Sequence, residues 1–278
     1  KTINLTPLPD APLITGGGQT LAYTEQAAAA VIDATVVVSA DADDTQMAGA
    51  TVRLSAGFTT GDILAFTDHS GITGSYNALT GVLTLSGNAT LANYTAALQS
   101  VRFHSTSDDP TAISTSRTVT WQVTDANSDA AGAATSNTVT STITLTPVND
   151  APTLTGTATA SYTENGAAIP LFSGITVTDA DDTDIVSASV SIDALGFISG
   201  DTLHFTDQSG ITGSYDGATG LLTLTGTATL ANYQTALRSI TFSSTSDDPT
   251  DNASATTRTL SWQVTDADVS TGGADKLD

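Results

Sequence analysis

The stretch Leu260-Ser261-Trp262-Gln263-Val264 alternates apolar and polar residues along the chain. Successive side chains of a strand point to opposite faces of its sheet, so this alternation predicts a strand with one buried face. The same period-two pattern occurs at Ile175–Thr178, Leu222–Thr225 and Ile240–Phe242. Because Trp121 and Trp262 are in register with apolar neighbours, both tryptophans are expected to be buried. The pattern therefore predicts an all-β fold.

An internal repeat extends this prediction over almost the whole chain. Ile72-Thr73-Gly74-Ser75-Tyr76 returns as Ile211-Thr212-Gly213-Ser214-Tyr215, a spacing of 139 residues. Trp121-Gln122-Val123-Thr124-Asp125 returns at positions 262–266, a spacing of 141 residues. Self-similarity at a fixed spacing is the mark of repeated structural units. We therefore expect two tandem modules.

Proline-bounded segments separate the modules. Pro147-Val148-Asn149-Asp150-Ala151-Pro152 has a counterpart near the N-terminus in Pro7-Leu8-Pro9-Asp10-Ala11-Pro12. Proline restricts its own backbone and that of the preceding residue, which predicts short, stiff linkers. Residues 3–6 match residues 143–146, the last strand of the first copy. The expected divisions are the strand and linker of a preceding repeat at 1–12, repeat 1 at 13–148, a linker at 149–152, and repeat 2, without its last strand, at 153–278.

One segment in each copy departs from the strand pattern. Leu230, Tyr233 and Leu237 lie at helical spacing after Thr229, and the first copy repeats this arrangement after Thr90. Threonine is a good helix N-cap because its side-chain oxygen accepts a hydrogen bond from the first turn. Each module is therefore expected to carry one short helix whose Tyr and Leu stripe packs in the core.

Composition excludes several classes of partner. The 278 residues contain 29 Asp and Glu against 7 Lys and Arg, a formal net charge of −22. Nucleic acid binding requires a basic surface, so nucleic acid is excluded as a partner. No apolar run approaches the roughly 20 residues that span a bilayer, so no membrane insertion is expected. The chain has no cysteine and therefore no disulfide or zinc-thiolate site.

The acidic residues occupy repeated positions. Asp41-Ala42-Asp43-Asp44 matches Asp179-Ala180-Asp181-Asp182, and the only two glutamates, Glu25 and Glu164, follow the same Tyr-Thr pair. Neighbouring carboxylates repel one another unless a cation neutralises them, and Ca²⁺ accepts six to eight oxygen ligands. The repeated glutamates, the Asp-x-Asp pairs and the linker aspartates therefore predict calcium sites, whereas Asp68, Asp193, Asp207 and Asp216 are expected only to cap turns.

The sequence resembles the cadherin-like repeats of large bacterial surface adhesins of the repeats-in-toxin type. The resemblance rests on Glu25, Asp179 with Asp181, Asp108 with Asp109, Asp266 and the Asn149-Asp150-Ala151-Pro152 linker, and it covers both copies. It implies Greek-key β-sandwich modules of cadherin or Ig-like type, with Ca²⁺ bound where successive modules meet. The ligands that it implies for the central joint are Glu25, Asp108, Asp109, Asn149, Asp150, Asp179, Asp181 and Asp266. Those that it implies elsewhere are Asp10, Asp41, Asp43, Asp125, Glu164, Asp247 and Asp248.

The function implied by the resemblance is mechanical. The chain would be a calcium-rigidified extender of a secreted or surface-anchored extracellular adhesin, serving cell adhesion or biofilm formation, with neighbouring repeats of the same chain as its partners. Two alternatives stay open. One is a calcium-dependent module that binds carbohydrate or other cell-surface ligands. The other is self-association through the N-terminal strand, which would complete the sheet of a neighbouring molecule and build head-to-tail filaments.

No enzyme signature accompanies these features. His69, His104 and His204 are not repeated between the copies, since their matches are Gln208, Ser243 and Ala65. No nucleophile elbow or phosphate-binding glycine loop occurs. The expectation is a protein without catalytic activity.

Overall fold

The structure, a computed structural model, describes residues 1–4, 8–42, 44–127 and 132–267. Within this part the chain is a β protein with two short helices, which confirms the predicted fold class. It divides into two compact units, Lys1–Val148 and Asn149–Asp278. No helix of the described part is long and apolar enough to cross a membrane.

The first unit packs a large sheet against a smaller one. The strands are β1 (Leu13–Thr15), β2 (Thr20–Thr24), β3 (Ala30–Val31), β4 (Val37–Ala40), β5 (Gln46–Ala56), β6 (Asp62–Ala65), β7 (Thr73–Asn77), β8 (Val82–Thr90), β9 (Arg102–Ser105), β10 (Ser116–Asp125) and β11 (Val139–Thr146), with helix α1 (Leu91–Ser100) between β8 and β9. Six strands form one sheet in the order β2-β11-β10-β5-β8-β7, and β3-β9-β6 forms another. Strands β1 and β4 pair separately. All pairs are antiparallel except β11 with β2.

The second unit repeats most of this order. Its elements are β12 (Thr153–Thr155), β13 (Ile169–Pro170), β14 (Thr176–Thr178), β15 (Asp184–Ile192), β16 (Asp201–His204), β17 (Thr212–Asp216), β18 (Leu221–Thr229), α2 (Leu230–Arg238), β19 (Thr241–Ser244) and β20 (Leu260–Asp266). The sheets are β17-β18-β15-β20, β13-β19-β16 and the pair β12-β14. Strands equivalent to β2 and β11 are not found in the described part of this unit.

Each unit has its own apolar core, built from the inward residues of its strands and from its helix. Leu85 and Phe103 lie in the first core, and Leu224 and Phe242 occupy matching places in the second. Burial alternates residue by residue along β10, as the period-two pattern predicted. This alternation leaves the polar, mainly threonine residues of β10 on the outer face of the six-stranded sheet.

The two predicted helices are confirmed. The Oγ1 of Thr90 accepts a hydrogen bond from the Asn93 N–H at 3.2 Å, and Thr229 does the same for Asn232 at 3.3 Å. Tyr94 and Tyr233 are fully buried. Each helix connects a strand of the larger sheet to a strand of the smaller one, so the buried stripe ties the two layers together.

The tryptophans differ between the units. Trp121 is fully buried, as predicted, and its Nε1 donates to Ser141 Oγ on β11 at 2.9 Å. The prediction of burial is wrong for Trp262, which stays partly exposed and packs edge-on against Phe172 with ring centroids 5.8 Å apart. The reason is topological: β11 covers Trp121, whereas β20 is the outermost strand of its sheet among the described residues.

The N-terminal segment contains no strand in its described residues. Residues 1–4 and 8–12 belong to no helix or strand. Residues 5 and 6, the second half of the strand expected at 3–6, lie outside the described part.

Candidate metal centre

The acidic turn between β14 and β15 is held by hydrogen bonds from its own backbone N–H groups to the Asp179 side chain. Asp179 follows the last residue of β14, and its Oδ1 accepts hydrogen bonds from the N–H groups of Asp181 at 3.1 Å and Asp182 at 2.9 Å. Asp side chains favour such turns because they accept from backbone donors a few residues ahead. The turn directs the other carboxylates of the segment toward the same place.

Three carboxylates converge at this turn. One oxygen from each of Asp179, Asp181 and Asp182 lies within 4.8 Å of the other two. Asp182 is only 3% exposed. While Asp181 is deprotonated, the buried Oδ2 of Asp179 accepts no hydrogen bond from the described part of the chain. A buried carboxylate oxygen without a donor is costly, and a bound cation removes that cost.

The linker residues of the second unit adjoin this turn. The Asp150 N–H donates to both oxygens of Asp181 at 3.4 Å. Asn149 is 3% exposed, and its Nδ2 donates to Oδ2 of the fully buried Asp266 at 3.0 Å. The structure thus brings together all five residues that the sequence predicted from this unit's linker, Asp-x-Asp turn and final strand: Asn149, Asp150, Asp179, Asp181 and Asp266.

The electrostatics of the turn favour a bound positive charge. Burial, a hydrogen bond with Asp179 and the charges of Asp179 and Asp182 raise the pKa of Asp181 to about 7, although the Asp150 N–H opposes this shift. The ion pairs of the described residues involve Arg117 and Arg258, neither of which serves this cluster. We name the set Asn149, Asp150, Asp179, Asp181, Asp182 and Asp266 the linker cluster.

The donor set of the linker cluster defines its chemistry. All its metal-ligating atoms are carboxylate or amide oxygens, and the chain has no cysteine. Hard cations prefer oxygen ligands, and Ca²⁺ accepts carboxylates together with amide and backbone carbonyls at flexible geometry. The residues therefore fit Ca²⁺ rather than a thiolate-seeking metal such as zinc.

The first unit has a related but less complete arrangement. Asp41 Oδ1 accepts the Asp44 N–H at 3.0 Å, and Asp44 is 4% exposed. Asp125 is buried, but its two oxygens accept N–H groups of Asn127 at 3.1 Å and Ala134 at 2.7 Å. Asp10 is exposed before β1. The predicted ligand Asp43 lies outside the described residues.

The two repeated glutamates have different surroundings. Glu25 is 4% exposed, and its Oε2 accepts the Val148 N–H at 2.9 Å. Glu164 is exposed, and its carboxylate makes no hydrogen bond with the described residues. In the first unit β2 pairs with β11, which places Glu25 beside the chain that leaves β11. The described part of the second unit provides no such pair for Glu164.

The acidic pairs before proline belong to turns. Asp109 Oδ1 accepts the N–H and the hydroxyl of Thr111 at 3.1 and 3.2 Å. Asp248 accepts from Thr250 and Asn252 in the same way, and these hydrogen bonds lower its pKa. Asp108 and Asp247 are exposed. The hydrogen bonds of Asp109 and Asp248 are local turn contacts, so nothing in them requires a cation.

Most of the residues expected only to cap turns do so. Asp68 Oδ1 accepts the Gly74 N–H at 2.9 Å, and Asp207 Oδ1 accepts the Gly213 N–H at 3.0 Å. Asp216 accepts from Ala218 and Thr219. Asp193 differs, because its Oδ1 accepts the hydroxyl of Ser261 on β20.

Sequence reasoning missed two features. Asp182 and its counterpart Asp44 were not among the predicted ligands, although a second Asp at both repeated positions was an available signal. It also missed the buried ion pair of Arg117 with Asp62, which the second unit repeats as Arg258 with Asp201. The recurrence of an arginine in so acidic a chain could have indicated this pair.

Comparison with known proteins gives only distant similarities. No family model matches the chain, and no curated protein sequence matches it. The chain is similar to the structure of protocadherin gamma C5 EC1-3, with 13% identity over 78% of this chain and 57% of that chain and a TM-score of 0.29. It is similar to mouse clustered PcdhgC3 EC1-3, with 12% identity over 96% of this chain and 65% of that chain and a TM-score of 0.30. It also matches the titin domains Z1Z2 in complex with telethonin, with 12% identity over 98% and 95% of the two chains and a TM-score of 0.23. The chain thus spans about three fifths of the protocadherin structures, and at these TM-scores the similarities carry no argument about function.

Proposed function

We propose that the chain is a calcium-stabilised extender module of an extracellular bacterial adhesin, secreted or anchored at the cell surface. The observation that carries this proposal is the convergence of one carboxylate oxygen each from Asp179, Asp181 and Asp182 within 4.8 Å, where the buried Asp179 Oδ2 has no described donor while Asp181 is deprotonated. The sequence resemblance to adhesin repeats supplies the biological setting. The proposed partners are neighbouring repeats of the same chain.

Asp179, Asp181 and Asp182 would hold the ion, and Asp150, Asn149 and Asp266 would complete its surroundings. Asn149 and Asp150 come directly after Val148, the last residue of the first unit. Binding a cation with Asp150 restrains the chain at the start of the second unit. In a string of such modules, this restraint would convert a flexible connection into a stiff one.

Differential scanning calorimetry with calcium and with chelator tests the proposal. A ligand that binds only the folded state stabilises it by about 2.7 kcal/mol at a concentration one hundred times its Kd. For a unit of this size, that corresponds to a rise on the order of 10 °C in melting temperature. Unchanged melting of the wild-type chain in calcium would refute the proposal.

Two variants sharpen this experiment. Asp179→Asn keeps an oxygen for the turn but removes the charge, so most of the calcium-induced rise in melting temperature should disappear. Asp207→Asn removes the same charge from a turn outside the linker cluster and should keep the full rise. Equal changes in melting temperature for the two variants would mean that calcium acts through bulk charge.

Stiffening of the connection is tested separately by small-angle X-ray scattering of the wild-type chain, which should show a narrower distribution of molecular dimensions in calcium than in chelator.

A further inference from the structure

The outer face of the six-stranded sheet carries a groove in the first unit. Its volume is about 640 Å³, and Arg53, Ser75, Asn77, Thr80, Val82 and Thr84 line it. Arg53, Val82 and Asn77 are direct cross-strand neighbours on β5, β8 and β7. Thr84 and Ser75 pair two residues further along the same strands, and so lie on the same face. The groove is therefore set mainly by sheet register, and only Thr80 comes from the turn between β7 and β8.

Arg53 differs from the other four arginines of the chain. Arg117 and Arg258 are paired with aspartates, and Arg102 and Arg238 donate to backbone carbonyls. The exposed guanidinium of Arg53 makes no hydrogen bond or ion pair with the described residues. In a chain of net charge −22, a cation that forms no ion pair with the described residues is available to an external anion.

The second unit pairs its strands in the same register at the corresponding positions, but the residues there carry different charges. There Ser191, Leu221 and Asp216 are the cross-strand neighbours at the positions of Arg53, Val82 and Asn77. Ser191 replaces the cation, and Asp216 places a carboxylate where the first unit has an amide. The two sheet faces share a strand register and differ by two formal charges at these positions, so an anionic ligand would distinguish them.

From this contrast we propose that the first-unit groove binds an acidic saccharide with isolated carboxylates, of the uronate type. A guanidinium pairs with a carboxylate through two parallel hydrogen bonds. The hydroxyls of Ser75, Thr80 and Thr84 and the amide of Asn77 both donate and accept, as sugar hydroxyls require. Val82 supplies an apolar floor for the C–H face of a ring.

The charge of the whole chain determines which anions fit. At physiological ionic strength charges are screened beyond about 8 Å, so the groove acts on a nearby carboxylate while the net charge of −22 opposes a dense polyanion. A uronate polymer carries one charge per ring among several hydroxyls, whereas nucleic acid carries closely spaced phosphates. The chemistry of the groove therefore favours the saccharide.

This site is independent of the proposed calcium function, because no acidic residue lines the groove. Titration of the isotope-labelled chain with oligogalacturonate, followed by ¹H–¹⁵N NMR in chelator, tests it. Amide shifts are expected at Arg53, Val82 and Asn77 and not at Ser191, Leu221 and Asp216. A neutral galactose oligosaccharide and inorganic phosphate, the comparison probes, should bind at least tenfold more weakly.

The decisive variant is Arg53→Ser, which gives the first unit the residue of the second. It should weaken oligogalacturonate binding at least tenfold without changing the melting temperature, because the Arg53 side chain makes no hydrogen bond or ion pair with the described residues. Arg102→Ser removes the same charge from a different sheet and should leave binding unchanged. The double variant Ser191→Arg with Asp216→Asn should create a second site. The proposal would be overturned if the Arg53 amide did not shift, or if Arg53→Ser and Arg102→Ser lost the same amount of oligogalacturonate affinity. Either result holds whatever calcium does to stability.

Discussion

The buried ion pair of Arg117 and Asp62 shows how a single residue supports an acidic loop. The Nε of Arg117 lies 2.5 Å from Asp62 Oδ2, and both side chains are fully buried. The remaining guanidinium nitrogens donate to the carbonyls of Pro110 at 2.6 Å and Ser114 at 2.7 Å. One arginine thus neutralises a buried carboxylate and secures the loop that follows Asp108 and Asp109.

We predict that Arg117→Met destabilises the first unit by about 3–5 kcal/mol, because it leaves the charge of Asp62 buried and uncompensated. Urea unfolding in a Trp262→Phe background measures this, since Trp121 then reports on the first unit alone. Changing Asp62→Ala together with Arg117→Met should cost less than Arg117→Met alone. A single-variant cost below about 1 kcal/mol would contradict the assignment.

Asp181 makes the proposed calcium response depend on pH. Its pKa is raised to about 7, mainly by burial. An acid whose pKa is higher in the folded state takes up a proton on folding, so the metal-free chain loses stability as pH rises from about 4 to about 7. Calcium competes with that proton and should therefore stabilise more at pH 8 than at pH 5.

Melting temperatures with 2 mM calcium and with chelator at these two pH values measure the difference. We expect the calcium-induced rise at pH 5 to be at most half of that at pH 8. Asp181→Asn should raise the stability of the metal-free chain at pH 8 and reduce its response to calcium. An equal calcium effect at both pH values in the wild-type chain would exclude this role for Asp181.

At the scale of elements, each helix depends on one cap and one buried stripe. The N-cap threonines Thr90 and Thr229 end strands β8 and β18 and begin α1 and α2 without a connecting loop. The buried Tyr94 also donates to the Gly87 carbonyl at 2.7 Å, and Tyr233 donates to Gly226 at the same distance. The helix is therefore tied back to the strand that precedes it.

We predict that Thr90→Ala destabilises the first unit by about 1 kcal/mol, because the Asn93 N–H loses its acceptor. Thr229→Ala should have a similar effect on the second unit. Thr90→Ser keeps the oxygen and is the matched control. Chemical denaturation measures all three variants, and equal stabilities of the Ala and Ser variants would show that the cap hydrogen bond contributes nothing.

At the scale of the whole molecule, the charge of −22 opposes folding of the metal-free chain through self-repulsion. Added sodium chloride shortens the Debye length from about 30 Å at 0.01 M to about 3 Å at 1 M. We therefore predict that the melting temperature in chelator rises by several degrees between 0.01 and 0.5 M sodium chloride. The Asp179→Asn variant should show the same rise, since screening needs no specific site. A constant or falling melting temperature would contradict this expectation.

Much of the candidate site could be predicted from sequence because its ligands lie in short local motifs. The Asp-x-Asp turn is folded by contacts between residues two and three apart, so Asp179 and Asp181 could be predicted as candidate ligands without tertiary information. Asp182 was missed because its burial depends on the surrounding unit rather than on its neighbours in sequence. Asp109 and Asp248 were also predicted as ligands because they recur in both copies. In the structure, however, they accept hydrogen bonds within their own turns.

The β class and the two helices follow from the sequence because period-two alternation and N-cap threonines are local signals. The repeat spacing predicted two modules in the same way. The grouping of buried acidic residues became visible only in the folded chain, since it depends on strands that are distant in sequence. The same holds for the repeated pairs, in which Glu25 is buried and Glu164 is exposed, and Trp121 is buried and Trp262 is partly exposed. The physical reason is the same in both pairs: a side chain is buried by the strand beside it, and β11 provides that strand in the first unit.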